Sequence, residues 1–347
     1  MINTLSMCPT CYKKIPATIY FKGGAALMIK ECDEHGKFTS MVEKDASFVT
    51  SFYREGTLGN NKSIIVHSHN KCNMKCKWCY YPMGEEGILS PECVDNLLGM
   101  YRGYNIMLSG GEPTIDPFFF DKLYAYTNLG WSTSCITNMV ALSDKEFFDR
   151  AINSPLRQGD VVNFACSMQH PKNHPQKIHE LKFKALQNFE ENKVKPACIM
   201  FSIESLDELD YIKEFYDRTK GLYPMIRIRT MFRNWNAKGI ERTLFLSDLY
   251  KAFIAKFEQY CPTQSLQHEH SNLYTVYMKM EGCAVSLSSS PSVEDIDYHQ
   301  CSRPVYMLAM DRRCYPVAIA QIVNEGLSRG WKDGFKLSAV KGDAICG

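Results

Sequence analysis

Six times between residues 62 and 235 a short strand-like run gives way to a longer helix-like stretch, and this alternation constrains the fold more than any other feature of the chain. The strand candidates are residues 63–67, 105–108, 133–137, 161–165, 197–201 and 225–229. Helices are predicted between them. Ser90 to Tyr101 has a serine at its N-cap, Pro91 in its first turn and Glu92 near its positive end, and Ser205 to Arg218 opens on acidic residues. Repeats of about 30 residues, strand then helix, build a parallel sheet with its crossovers packed on a face. In such architectures the chemistry gathers at the carboxyl ends of the strands, so the loops that leave those ends share one rim.

The loop after the first strand carries Cys72, Cys76 and Cys79 at C-x3-C-x2-C spacing. A 4Fe-4S cluster takes four ligands, so three thiolates on one short loop leave one iron open to a substrate or cofactor. In an intracellular chain, cysteines so spaced are more often a metal site than a disulfide framework, although zinc with a fourth ligand from elsewhere would also fit. The second strand runs directly into Ser109-Gly110-Gly111-Glu112-Pro113-Thr114. Alone, that run is compatible with an ordinary turn.

In series the two motifs resemble the radical SAM superfamily, whose C-x3-C-x-aromatic-C pattern places Trp78 in the aromatic position, with Tyr80 close behind, and whose GGE-P motif matches Gly110, Gly111, Glu112 and Pro113. The resemblance implies a partial (β/α)6 TIM-type barrel. It also implies that Cys72, Cys76 and Cys79 hold a 4Fe-4S cluster and that the amino and carboxylate groups of S-adenosylmethionine (SAM) complete the open iron. One injected electron would then release methionine and a 5′-deoxyadenosyl radical. Trp78 would pack near the cluster or adenine, or fill core, and Tyr80 would offer backbone groups to the adenine. Gly110 and Gly111 would let the backbone approach the methionine moiety, and Glu112 would pair with its ammonium group. Asn138, in Thr137-Asn138-Met139, stands where the family has T-N-G, with Met139 replacing the glycine. Ser167, at the end of the fourth strand, would meet the ribose. Arg227 and Arg229 alternate with Ile226 and Ile228 and so share a face; Arg229 would bind the SAM carboxylate, or both arginines would form salt bridges at the barrel foot. His170, His174 and His179 fall in or beside a polar loop with two prolines and are expected to be solvated.

Residues 1–48 carry Cys8-Pro9-Thr10-Cys11 and Cys32-Asp33-Glu34-His35. Two knuckles at that separation suit a tetrahedral zinc-ribbon or rubredoxin-like site of Cys8, Cys11, Cys32 and His35, holding zinc or mononuclear iron. Short strands at 17–21 and 26–29 are expected between the knuckles. A metal would supply folding free energy that so small a segment lacks. The run C-P-x-C, Ile15-Pro16-Ala17 and C-x2-H-G resembles the N-terminal extension of the radical SAM subgroup that includes the archaeal tetraether lipid synthase and a pterin-methylating relative. Residues 236–347 are expected to form an α+β cap. Its features are a helix over 246–260, a hairpin around Asp311-Arg312-Arg313, a loop over Ser286–Ser292, and Cys283, Cys301, Cys314 and Cys346, which are either auxiliary-cluster ligands or buried structural thiols. The radical SAM barrel is expected to span 62–235.

Composition bounds the rest. Forty basic against 38 acidic residues give a net charge of +2, which offers no general footprint for nucleic acid or an anionic membrane. No apolar run approaches the roughly 20 residues needed to span a bilayer. Fifteen cysteines in a chain of 347 residues are better explained by metal ligation than by disulfides. The expected protein is a cytoplasmic radical SAM enzyme with a flavodoxin- or ferredoxin-type electron donor, acting on an unactivated C–H position of a small molecule, lipid or peptide. A peptide-modifying maturase is the main alternative. An iron-sulfur electron carrier or a nucleic-acid modifier fits less of the pattern.

Overall fold

The computed structural model describes residues 1–11, 13–53, 63–67, 69, 71–76, 79, 105–128, 133–153, 163–231, 244–261, 271–289, 294–297, 305–308 and 314–316. The predicted helix Ser90 to Tyr101, and Trp78, Tyr80, Cys301 and Cys346, lie outside them.

The N-terminal unit is an antiparallel meander of β1 (Ile2–Met7), β2 (Lys14–Lys22), β3 (Ala25–Cys32) and β4 (Gly36–Glu43), paired in chain order. Side chains alternate across it, and Ala17, Ile19, Ala26, Met28 and Val42 share one face. That face packs on Val49, from the helix Ala46–Phe52, and on Leu273 and Tyr274 of the C-terminal region. Polar contacts seal the same junction. Thr4 Oγ1 donates to Asp297 Oδ1 at 2.7 Å, Ser40 donates to the Glu294 carbonyl at 2.5 Å, and the buried Glu43 carboxylate accepts from the Ser247 amide at 3.2 Å and hydroxyl at 2.7 Å. The small sheet is thus completed by residues more than two hundred positions away.

The second unit is a ten-stranded sheet. β5 (Ser63–His67), β6 (Asn105–Ser109), β7 (Thr133–Thr137), β8 (Asn163–Ser167), β9 (Cys198–Ile203) and β10 (Met225–Thr230) lie side by side, all parallel. A hairpin extends each side: β12 (Cys283–Ser288) pairs parallel with β10 and carries β11 (Thr275–Met280), while β13 (Val305–Leu308) pairs parallel with β5 and carries β14 (Cys314–Pro316). No pairing among the described strands joins β11 to β14. The expected loop over Ser286–Ser292 is corrected in part, because Ser286 to Ser288 belong to β12. Serine favours loops when alone, but here pairing with β10 on one side and β11 on the other satisfies the backbone and overrides that preference.

The outer face of the sheet supplies the main core. Ile106, Leu108, Phe164, Phe201, Ile226, Ile228, Val285 and Leu287 pack against Leu123, Phe148, Leu186, Phe189, Ile212, Phe215, Leu249 and Phe253. Those partners come from the helices Phe119–Asn128, Lys145–Ile152, Gln176–Glu191, Glu208–Thr219 and Leu246–Lys256. The concave face has its own small apolar plug of Ile136, Ala165, Cys198, Met200 and Met225.

One ion pair is buried in this core. Lys122 Nζ lies 2.5 Å from Asp116 Oδ2, and the two side chains are 0% and 1% exposed. Asp116 Oδ1 also accepts from the Phe118 amide at 2.9 Å. Burial pushes the Lys122 pKa down and Asp116 opposes it. Asp116→Ala should therefore cost about 3–5 kcal/mol in chemical denaturation, because it strands a buried ammonium; a change below about 0.5 kcal/mol would contradict the pairing.

Candidate active site

Three loops at the carboxyl ends of β5, β6 and β7 are bound into one unit. The Gly111 amide donates to the His69 carbonyl at 2.8 Å and the Glu112 amide to the Lys71 carbonyl at 2.9 Å, so the β6 loop runs beside the chain that leads into Cys72. His69 Nε2 lies 2.8 Å from the Glu112 carbonyl oxygen. A β-carbon on Gly111 would collide with the Lys71 carbonyl, which is why this position needs glycine. The space beside Gly111 is taken by the neighbouring loop of this chain.

Glu112 ties in the third loop. Its side chain is 2% exposed, and Oε1 accepts from the Thr114 amide at 3.2 Å, the Thr114 hydroxyl at 2.6 Å and the Thr137 hydroxyl at 2.7 Å. Oε2 accepts from the Asn138 amide at 2.6 Å. Burial pushes this carboxyl above its ordinary pKa, and the four hydrogen bonds pull the other way. Burial outweighs the donors and disfavours the anion, so a cation at the rim would stabilise this carboxylate.

Cys72, Cys76 and Cys79 are half-buried on this rim. The Met74 amide donates to Cys72 Sγ at 3.4 Å. Asn138 Nδ2 lies 3.9 Å from Cys72 Sγ, and it donates to Asn73 Oδ1 at 2.7 Å. Met139, in the place of the family's glycine, adopts φ +69°, so the chain takes the left-handed turn without the residue that favours it. Burial raises the Cys72 thiol to about 12 and the Cys76 thiol to about 11. Metal binding here must therefore displace protons. Three soft sulfur donors on one loop, one already accepting a backbone N–H, form a set suited to an iron-sulfur cluster.

Lys182, His174 and His179 lie where the sequence pattern does not place them. Lys182 is 0% exposed and donates to the Ser167 carbonyl at 2.8 Å; no carboxylate among the described residues lies within ion-pair distance of it. Burial lowers its pKa to about 8, while Cys76, Glu112, Cys166 and Cys72 raise it. The available signal was a lysine in step with His179, Ala185, Leu186 and Phe189 on the buried face of its helix. The histidine expectation is also corrected. His174 Nε2 lies 3.9 Å from Cys76 Sγ, and His179 is buried on the helix Gln176–Glu191. The prolines end the loop earlier than its polarity suggests, and the helix carries His179 inward. Ser167 ends β8 and accepts from Gln169 Nε2 at 3.2 Å, and Gln169 Oε1 accepts from the Ser202 amide at 3.1 Å. Arg229 lies on β10 with Nη2 3.7 Å from Met200 Sδ.

The ribbon residues converge. The ligand atoms of Cys8, Cys11, Cys32 and His35 all lie within 4.8 Å of one another. Cys8 and Cys11 come just after β1, Cys32 ends β3, and Gly36 at φ +76° turns the chain after His35. Burial opposes ionisation of Cys8, but hydrogen bonds from the Cys11 and Thr10 backbone and from the Cys11 and Cys32 thiols outweigh it and lower its pKa. The cap cysteines are less concentrated. Cys283 opens β12 beside the start of β10, whereas Cys314 pairs with Leu308 beside the end of β5, so the two occupy opposite rims of the sheet.

The same two regions are matched by known proteins. Residues 66–214 match the radical SAM superfamily, and residues 2–44 match the HMPTM N-terminal zinc ribbon domain. The 7,8-dihydro-6-hydroxymethylpterin dimethyltransferase of Methanocaldococcus jannaschii is 28% identical over 146 residues, 33% of this chain and 29% of that protein. An S-adenosylmethionine-dependent nucleotide dehydratase of a Thermoplasmatales archaeon is 32% identical over 80 residues, 22% of this chain and 29% of that protein. The chain thus spans under a third of the length of these curated relatives. Among solved structures, Streptococcus suis SuiB bound to precursor peptide SuiA superposes with a TM-score of 0.54 at 14% identity, covering 85% of this chain and 69% of that one, a likeness of fold. The chain carries a radical SAM domain behind an N-terminal zinc ribbon. A radical SAM domain implies a 4Fe-4S cluster, SAM, a reductant and a substrate.

Gly111→Ala should force the β6 and cluster loops apart, costing about 1–3 kcal/mol of stability and most of the iron bound on reconstitution. Iron content equal to wild type would contradict the close approach. Cys11→Ala should lower the bound metal by one equivalent and expose residues 1–44 to limited proteolysis; an unchanged metal count would contradict the four-ligand site.

Proposed function

We propose that this protein reductively cleaves SAM at a 4Fe-4S cluster held by Cys72, Cys76 and Cys79 and uses the resulting radical to remove hydrogen from a C–H position of an organic substrate. A cluster bound by these three thiolates would supply the single electron that reductive cleavage of SAM requires. The observation that carries this reading is the stitching of the cysteine loop to Gly110-Gly111-Glu112 through the amides of Gly111 and Glu112.

The chain's own residues supply the charges that a bound methionine moiety needs. Glu112 would face its ammonium group, which relieves the burial cost of that carboxylate. Lys182, a buried ammonium beside the same rim, would face its carboxylate together with Arg229 from β10. Asn138, tied to Asn73 and close to Cys72, and Ser167 at the end of β8 would hold the nucleoside side. Pro113, buried at the first position of the turn that Glu112 caps, would fix the direction in which the Glu112 backbone leaves the rim. The ribbon would hold zinc or mononuclear iron as a structural element at the junction with the cap.

The electron donor is proposed to be of flavodoxin or ferredoxin type, and the location the cytoplasm, where thiols stay reduced. No helix among the described residues is long and apolar enough to cross a membrane.

Anaerobic reconstitution followed by dithionite and SAM tests the reading. Wild type should form 5′-deoxyadenosine, and Cys76→Ala should lose both the iron-sulfur absorbance and the product; product from Cys76→Ala would overturn the assignment. Lys182→Met should weaken SAM binding by about 1.5–3 kcal/mol, roughly tenfold or more, at unchanged iron content. Equal affinity in that variant would remove Lys182 from the site.

A further inference from the structure

The concave side of the sheet beyond β9 carries two arginine-bearing rows, of which the SAM site proposed above uses only Arg229 in the row nearer the rim. Ile226 and Ile228 of β10 point into the outer core and Met225 joins the inner plug, which puts Arg227 and Arg229 on the concave side. Val276 and Met278 of β11, and Val285 and Leu287 of β12, likewise belong to the outer core, so their alternate neighbours face inward. Cross-strand register then aligns two rows. One runs Met200, Arg227, Ser286, Tyr277; the other, a step nearer the rim, runs Ser202, Arg229, Ser288, Thr275. In each row a guanidinium is followed by two hydroxyl-bearing residues.

Along the described strands β8 to β12 the charged residues are all basic. Arg227 Nε lies 3.3 Å from Met225 Sδ, a weak acceptor, so this half-buried guanidinium rests on the apolar plug, and no carboxylate among the described residues pairs with it. The field of both arginines reaches Cys198 in the plug, where it pulls against the rise that burial imposes on that thiol. A planar set of N–H donors on an apolar floor, flanked by hydroxyls and free of carboxylates along five strands, is chemically matched to an oxyanion.

We propose that the deeper row, with Arg229 of the upper row left to SAM, lines the substrate pocket of the radical site and that the substrate is a small molecule bearing an oxyanion, a carboxylate or a phosphate, gripped by Arg227 and flanked by Ser286 and Tyr277. The pocket role rests on the SAM-cleaving reading; the anion site itself does not. The arrangement places the anionic group at mid-height on the wall, one row below the rim, so the C–H position attacked must lie on a part of the substrate that reaches up toward Ser202 and Arg229.

The test is a calorimetric titration of the reconstituted, SAM-loaded protein with inorganic phosphate and, separately, succinate, at low ionic strength and without reductant. At least one anion should bind saturably, and Arg227→Gln should weaken it about tenfold or more while Arg227→Lys retains part of the affinity. The tighter of the two probes assigns the oxyanion. Failure of both to bind, or wild-type affinity in Arg227→Gln, overturns the proposal. If Arg227→Gln does not fold, Ser286→Ala and Tyr277→Phe take its place, with a severalfold loss expected in each and no loss in either overturning it. Because no electron is supplied, the outcomes separate: anion binding in a protein that never forms 5′-deoxyadenosine defeats the SAM reading alone, and SAM cleavage without anion binding defeats this inference alone.

Discussion

The structure depends most on the buried carboxylate of Glu112. Its four hydrogen bonds join Thr114 of its own turn to Thr137 and Asn138 at the end of β7, while its backbone joins the loop that leads to Cys72. Parallel strands place loops on a common rim but do not fix their spacing, since each loop is entropically free to wander. Glu112 supplies that spacing. The carboxylate is disfavoured by burial yet retained by its donors, which leaves the rim poised to accept a positive group.

A second constraint is the pairing of small units with distant chain. The ribbon sheet has one apolar face, and a four-stranded meander cannot bury it alone. Leu273 and Tyr274 cover it, and Ser247 and Asp297 meet its polar edge. The ribbon is consequently held from two sides, by converged Cys8, Cys11, Cys32 and His35 at its tip and by the cap at its face.

Much of this was legible in the sequence because its periods are strong. The strands predicted at 63–67 and 133–137 form over those residues, and the other four shift by no more than two residues at either end. The alternation Met225-Ile226-Arg227-Ile228-Arg229 gives the facing of both arginines outright. Long-range pairing was less legible. Ser286 to Ser288 read as loop because their strand character comes from two neighbouring strands and not from their own propensity. Lys182 is not legible from sequence because a lysine on a helix is usually solvated, and only packing shows that its position belongs to the buried face. The polar, proline-bearing stretch predicts one solvated loop for His174 and His179, but a helix begins between them at Gln176.

The cysteine loop, braced by the two loops beside it, is proposed to hold a cluster with one iron open to SAM. Electron paramagnetic resonance of the reconstituted, dithionite-reduced protein, recorded with and without SAM, tests it most directly. The account predicts a 4Fe-4S signal whose g-values shift when SAM is added, because SAM would bind the iron that Cys72, Cys76 and Cys79 leave unligated. A signal identical with and without saturating SAM, or one of a fully ligated cluster, would contradict it.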